Sequence, residues 1–184
     1  MGVRRETLAA ALWGFAEATL FFIVPDVLLT FILVRTGPGR ALRAALVAAL
    51  AAAAGGAVML LWSAHAPASA FWAVAGVPNI SDAMMSDAGI ALASEGFLEM
   101  LRGSFAGVPF KVYAVEAQAA GINPLAFLAA TVPVRLLRFA SALTVVGLAQ
   151  AGLCRMGASA NLRLMILAVA WTAFYVWFFV MTPE

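Results

Sequence analysis

The chain has 184 residues, of which 65% are hydrophobic and 11% are charged, and its mean hydropathy is +1.00. This composition is typical of an integral membrane protein, and the length allows one domain of about four to six membrane segments at about 20 residues each. The net charge of +2 comes from scattered arginines, which argues against nucleic-acid binding. One cysteine and one histidine exclude a disulfide framework and leave no recognisable metal site, so we expect neither metal nor cofactor.

The first apolar stretch, residues 7–35, is too long for one comfortable span. From Thr7 to Val34 it has 28 residues, and a straight helix of that length would measure about 42 Å against a hydrocarbon core of about 30 Å. Pro25 interrupts helical hydrogen bonding, so the chain should break or fold back at residues 24–27. We predict a re-entrant hairpin, and the alternative is a tilted, kinked span.

Two carboxylates, Glu17 and Asp26, lie inside this stretch. On a continuous helix they would face opposite sides and leave one in lipid, whereas a fold at Pro25 lets both point inward. Because lipid cannot satisfy the irregular backbone at the tip of a hairpin, we expect the tip to be buried in protein or beside a water-filled cavity.

Arginines predict the orientation of the chain. Arg35, Arg40 and Arg43 flank the turn at 37–39, and two further arginines lie at the N-terminus. An excess of arginine marks cytoplasmic segments, and a re-entrant hairpin returns both positive ends to one side. Abundant alanine and arginine with a single lysine suggest a GC-rich bacterial genome. We therefore predict a protein integral to the bacterial inner membrane with a cytoplasmic N-terminus.

Four further helices are predicted outside the hairpins. The uncharged, alanine-rich stretch within 41–65 and the largely apolar stretches at 123–150 and 162–182 each suit a transmembrane helix. Residues 81–102 carry a serine cap and mix acidic with apolar positions, so we expect an amphipathic helix along the outer surface. Residues 66–80, which proline and glycine punctuate, are assigned no element.

Residues 104–121 are predicted to form a second re-entrant hairpin. Gly107 and Pro109 break their start, and the remainder is too short to cross the membrane. The fold class is therefore all-α integral membrane, with residues 1–184 forming one domain of two opposed hairpins, about three transmembrane helices and one amphipathic helix. This plan is typical of inverted-repeat transporters, in which broken helices from both halves build a site at the midplane.

Six charges are expected at membrane depth, namely Glu17, Asp26, Glu116, Lys111, Arg135 and Arg138. Each costs about 2.5 to 3.5 kcal/mol at a helix centre, so they should pair or face water and a substrate. A structural interpretation is a set of buried ion pairs that lock the hairpins together. In a functional interpretation, the desolvated carboxylates carry protons, and the two arginines, three apart on one helical face, bind a phosphate.

Three segments carry a family resemblance: FAEATLFFIVPD at 15–26, FAGVPFKV at 105–112 and VPVRLLRF at 132–139. Together they resemble the DedA family of VTT-domain (SNARE-associated) membrane proteins, in its YqaA-like branch, over about residues 7–150. The resemblance implies two opposed re-entrant hairpins and a lipid-translocating role. Bacterial members are regarded as proton-linked flippases for undecaprenyl phosphate or phospholipids, and eukaryotic relatives as scramblases.

The resemblance also implies roles for individual residues. Glu17 and Asp26 match the family's essential acids, Arg135 and Arg138 match its essential arginines, and Lys111 matches the basic residue of the second hairpin. Where many members have Pro-Gly-Glu in the first hairpin, this chain has proline, aspartate and valine at 25–27.

These observations predict a transporter that moves a lipid or lipid phosphate across the bilayer, linked to protons. Its expected partners are membrane lipids and protons, without nucleic acid, and a homodimer is left open. A passive scramblase of the same fold and a non-transporting scaffold or assembly factor are the alternatives. No enzyme is expected, because Ser104 and His65 have no supporting motif and would lie on different elements.

Overall fold

The computed structural model describes residues 2–181, and every regular element among them is an α-helix, which confirms the prediction of an all-α chain for these residues. The nine helices of the described residues are α1 (Val3–Thr19), α2 (Asp26–Thr36), α3 (Pro38–His65), α4 (Pro67–Ala75), α5 (Asp82–Glu95), α6 (Phe97–Ala106), α7 (Phe110–Glu116), α8 (Pro124–Arg155) and α9 (Ala160–Met181).

Three of these helices, α3, α8 and α9, are long and apolar enough to cross a membrane. They have 28, 32 and 22 residues, and they correspond to the three stretches predicted as transmembrane helices. Two of them begin with a proline in the first turn, where its missing N–H has no helical partner to lose. The last turn of α8 extends to Arg155, beyond the predicted end at residue 150.

The first predicted hairpin contains two helices, α1 and α2. The chain leaves helix after Thr19 and resumes it at Asp26, so the break lies at residues 20–25 and starts earlier than the predicted 24–27. Pro25 occupies the N-cap of α2, where proline starts a helix and does not interrupt one. Gly37, with a φ of 93°, then turns the chain directly from α2 into α3.

Helix α1 runs alongside the first half of α3 in the same direction. Glu6 on α1 lies 3.7 Å from Arg40 at the start of α3. Near the other end of α1, a Cβ on Gly55 would lie 2.9 Å from the Cβ of Ala18. The beginning of α1 and the end of α2 therefore both lie near the N-terminal end of α3, and the connection between them lies near its middle.

The predicted amphipathic helix at 81–102 is wrong as a single element. Gly96, with a φ of 61°, separates α5 from α6, because glycine adopts this left-handed backbone without steric cost. Met85 and Leu92 of α5 are fully buried in the main hydrophobic cluster. Helix α5 therefore packs into the core of the fold and is not a surface helix alone.

Residues 104–121 contain the end of α6, the short helix α7 and the turn that follows it. Gly107, with a φ of 97°, ends α6, and α7 begins directly after Pro109. A Cβ on Gly56, in the middle of α3, would lie 2.9 Å from the ring of Phe110. Ser63, near the end of α3, donates to the carbonyl of Val115 at 2.6 Å, so α7 runs from the middle of α3 toward its C-terminal end.

Helix α4 was not predicted from the sequence, and α9 is the least buried of the long helices. Helix α4 lies within residues 66–80, to which the sequence assigned no element; Pro67 lies in its first turn, a position that favours a helix. Helix α9 contributes no fully buried residue and packs mainly against α2.

Candidate functional site

Two ion pairs join α8 to the first helix pair. Arg135 pairs with Glu17 near the end of α1, and the Nε of Arg138 lies 3.3 Å from the Oδ2 of Asp26 at the start of α2. Both carboxylates are at least 95% buried. Because the arginines are three positions apart on α8, they lie on one face and reach both sides of the break at residues 20–25. The structure therefore brings four of the six predicted charges together.

Lys111 is the fifth charged member of this site. Its Nζ donates a hydrogen bond of 2.9 Å to the carbonyl of Phe21, in the break between α1 and α2. The side chain is among the largest that are fully buried, and it lines the same cavity as Glu17 and Arg135. We call Glu17, Asp26, Lys111, Arg135 and Arg138 the charged cluster.

Side chains from three helices satisfy the irregular backbone at residues 20–25. Besides Lys111, the indole of Trp13 donates to the carbonyl of Ile23 at 2.9 Å, and the amide of Val24 donates to the hydroxyl of Tyr175 at 3.0 Å. A lipid environment could not supply these partners. The sequence predicted a buried tip, but it did not single out Trp13 or Tyr175 as partners of its backbone. The feature that could have identified them is an aromatic side chain with a hydrogen-bonding group inside an apolar run.

The two arginines have different surroundings. The guanidinium carbon of Arg135 lies 5.2 Å from the ring centre of Phe110 and 5.1 Å from that of Phe139, which are cation–π distances. Its Nε is buried and has no hydrogen-bond partner among the described residues. Arg138 is more accessible, with 28% of its side chain exposed, and it also donates to the carbonyl of Ser104 at the end of α6.

A cavity of about 90 Å³ lies against the charged cluster. Part of its wall comes from the α1–α2 connection and part from the α6–α7 connection. The lining includes all three residues predicted as structural breaks, Pro25, Gly107 and Pro109. This volume is enough for several water molecules, so it could admit a small polar group but no whole lipid. Four of the five cluster members line it, namely Glu17, Lys111, Arg135 and Arg138.

Glu116 does not join the charged cluster. It is the last residue of α7, lies against Gly89 of α5, and lines a separate cavity with Ser63 and Trp72. The reason is helical geometry: five positions on α7 separate it from Lys111, which places the two about 7.5 Å apart along the axis and on different faces. The charged cluster therefore contains five of the six charges that were expected at membrane depth, and Glu116 lies apart from it.

Two further residues could carry chemistry, Ser104 and His65, of which Ser104 lines the cavity and His65 does not. The hydroxyl of Ser104 donates to the carbonyl of Met100, and the Nδ1 of His65 lies 2.8 Å from the carbonyl of Leu61. Within residues 2–181, no group of three or more His, Cys, Asp or Glu side chains is arranged to hold a metal ion.

Comparison of the chain with models of known families, with curated proteins and with solved structures found no match. The resemblance to the DedA family therefore stays a prediction from the three sequence segments. What the structure adds is the geometry of a buried, cation-rich cluster between two broken helix pairs.

Proposed function

We propose that the protein is a membrane transporter of the DedA type, which translocates a lipid or lipid phosphate across the bilayer with a link to protons. One observation carries this proposal. Three basic and two acidic side chains converge beside a cavity at the point where the α1–α2 connection meets the α6–α7 connection. Charged groups this deeply buried between membrane helices are typical of substrate or ion pathways.

The course of the two helix pairs supports a pair of opposed re-entrant hairpins. The α1–α2 pair starts and ends near the N-terminal end of α3 and reaches Gly55, while α7 runs from Gly56 toward the C-terminal end of α3. If α3 crosses the bilayer, both connections lie near its midplane and the pairs enter from opposite sides. This is the arrangement of inverted-repeat transporters, which bind substrate between broken helices.

The charges of the cluster suit an anionic headgroup. With Lys111 protonated, the cluster has one more cation than carboxylate, so a phosphate would balance it. Arg138 is partly exposed, and the Nε of Arg135 is a free donor among the described residues, so both could donate to phosphate oxygens. Protonation of Glu17 or Asp26 would release its arginine to the phosphate, which would couple the substrate to protons.

The arginines around the turn after α2 and those in the first turn of α1 favour the cytoplasmic side for both segments. In this proposal the protein lies in a bacterial inner membrane, with membrane lipids and protons as its partners.

Translocation by the purified protein in liposomes tests the proposal. The substrates are a fluorescent phospholipid and a polyprenyl phosphate, each with and without a pH gradient. Arg138→Gln should slow translocation about tenfold or more, because one charge-assisted contact to phosphate is lost. Arg155→Gln, an exposed arginine at the end of the same helix, is the matched control and should keep the wild-type rate.

Each outcome separates the alternatives. Gradient-driven movement that Glu17→Gln uncouples from protons supports a coupled transporter, whereas gradient-independent movement supports a passive scramblase. A full rate in Arg138→Gln would contradict the assigned phosphate site. If neither lipid moves in the wild type, the scaffold alternative replaces the transporter.

A further inference from the structure

An apolar groove of about 650 Å³ lies directly beside the charged cavity. It runs between Trp13 with residues 22–27 on one side and the second half of α9, from Trp171 to Val180, on the other. Phe22 and Tyr175 line both the groove and the charged cavity. A polar compartment and an apolar one thus share a wall of two aromatic side chains. We call the apolar one the α9 groove.

The two compartments differ in size and in chemistry. The charged cavity, at about 90 Å³, has room for a headgroup alone, whereas the α9 groove is more than seven times larger. A site of several hundred Å³ with apolar and aromatic walls is typical of small-molecule binding. Apart from one threonine and the tyrosine hydroxyl, the side chains along the groove are hydrocarbon or aromatic, so an extended alkyl chain suits it.

The attachment of α9 allows such an occupant to enter. No residue of α9 is fully buried. Two hydrogen bonds of 3.0 Å join it to the first helix pair: the amide of Val24 donates to the hydroxyl of Tyr175, and the indole of Trp171 donates to the hydroxyl of Thr30. These contacts hold α9 at the edge of the charged cavity and leave the groove open along the helix.

We infer that the α9 groove binds the hydrocarbon chain of the lipid whose phosphate occupies the charged cavity. This inference rests on the proposed function and deepens it, because it makes α9 the wall that selects the chain. The groove adjoins the cavity, and three basic side chains lie with two acidic ones around the cavity, so the occupant that fits both compartments is a phosphate-bearing lipid. Val176 then contacts the chain and takes no part in phosphate binding.

Photolabelling in nanodiscs tests the inference directly. The probe is phosphatidic acid with a diazirine in its chain, and the matched control probe is diacylglycerol with the same chains. The phosphate probe should label residues 20–27 and 171–180 about tenfold more than the neutral probe, because charge-assisted contacts hold its headgroup at the cavity. Equal labelling by both probes would mean only annular lipid and would overturn the inference.

Substitution within α9 provides the second test. Val176→Trp fills the groove, and excluding about two methylene groups of the chain should lower groove labelling about tenfold. Val169→Trp changes an equally exposed valine outside the groove and should leave labelling intact. Wild-type labelling in Val176→Trp would overturn the inference, whether or not the protein transports lipid.

The labelling experiment and the transport assay test separate claims, so either claim can be contradicted while the other is supported. Groove labelling without translocation would support binding of the lipid chain in the α9 groove and contradict the proposed transport function. If Arg138→Gln loses translocation but the wild type shows no specific groove labelling, the proposed transport function is supported and the binding of the lipid chain in the α9 groove is contradicted.

Discussion

Arg135 is the most enclosed cation with a carboxylate partner in the site. It is 5% exposed, pairs with a 4% exposed Glu17, and lies between two phenylalanine rings. Removal of one partner from a buried pair leaves an uncompensated charge. Replacement of both partners by apolar side chains of similar volume can leave the stability of the protein nearly unchanged. The cost of losing Arg135 thus depends on whether Glu17 remains charged.

This dependence predicts a large interaction energy between the two residues. Arg135→Met alone should lower the free energy of unfolding by about 3 to 5 kcal/mol, and Glu17→Met with Arg135→Met should recover most of that loss. Reversible unfolding in detergent micelles measures all four members of the cycle. If the double variant loses the sum of the two single effects, the residues do not interact energetically.

Arg138 differs from Arg135 because it joins three segments and remains partly accessible. It contacts Asp26 at the start of α2 and the carbonyl of Ser104 at the end of α6, so it connects the two broken helix pairs. Its exposure makes it the better residue for a test of substrate binding, since a ligand can reach its guanidinium group, although its loss also leaves the buried carboxylate of Asp26 without this partner. For this reason the functional experiment changes Arg138 and keeps Arg135.

Among the elements, α1 and α3 share the most extensive contact. Small residues line the contact: a Cβ on Gly14 would lie 2.8 Å from the Cα of Ala48, and Ala44, Ala48 and Ala52 are fully or almost fully buried. Small residues let membrane helices pack with their backbones in contact. The position of Glu17, one turn after Gly14, depends on this approach.

Gly14→Ala should therefore be strongly destabilising for a single methyl group. The new Cβ meets backbone atoms of α3, which cannot rotate away, and overpacking of this kind costs about 1 to 3 kcal/mol or more. Thermal denaturation in detergent compares it with Gly152→Ala, where nothing lies within 4 Å of the new methyl group. The control should gain up to about 1 kcal/mol from helix propensity. Equal stability of the two variants would contradict the close packing of α1 on α3.

At the scale of the whole molecule, the ends of α3 and α8 fix a topology. Pro38 at the start of α3 and Cys154 at the end of α8 line one groove, so the turns before α3 and after α8 lie at the same end of the molecule. The start of α4 follows the other end of α3 after a single residue. If α3 and α8 each cross the membrane once, the turns before α3 and after α8 face one side of the membrane, and the start of α4 faces the other.

Cysteine accessibility checks this topology. Cys154 is the chain's single cysteine and is exposed, so a membrane-impermeant maleimide reports on its side. In a Cys154→Ser background, Gly39→Cys should react from the same side as native Cys154, and Ser69→Cys from the opposite side. Inverted and right-side-out vesicles supply the two sides. Labelling of Gly39→Cys and Cys154 from different sides would contradict two single crossings.

The sequence by itself determined the class of the protein and most of its helices. Long, largely apolar runs predicted the three candidate spans, since hydrophobic length is a local property. Pro25, Gly107 and Pro109 indicated the breaks because their backbone restrictions act within a few residues. The sequence also singled out every member of the charged cluster, because a charge in an apolar run needs a partner wherever it lies.

Only the tertiary structure decided which charges meet and what surrounds them. The separation of Glu116 from Lys111 follows from the rise of α7 and from the packing of α5 against it, which depends on contacts distant in sequence. Tyr175 and Trp13 support the backbone at residues 20–25 because α9 and α1 pack beside it, and no local pattern encodes that approach. Local sequence sets where helices start and stop, whereas pairing between distant side chains exists only after the helices have packed.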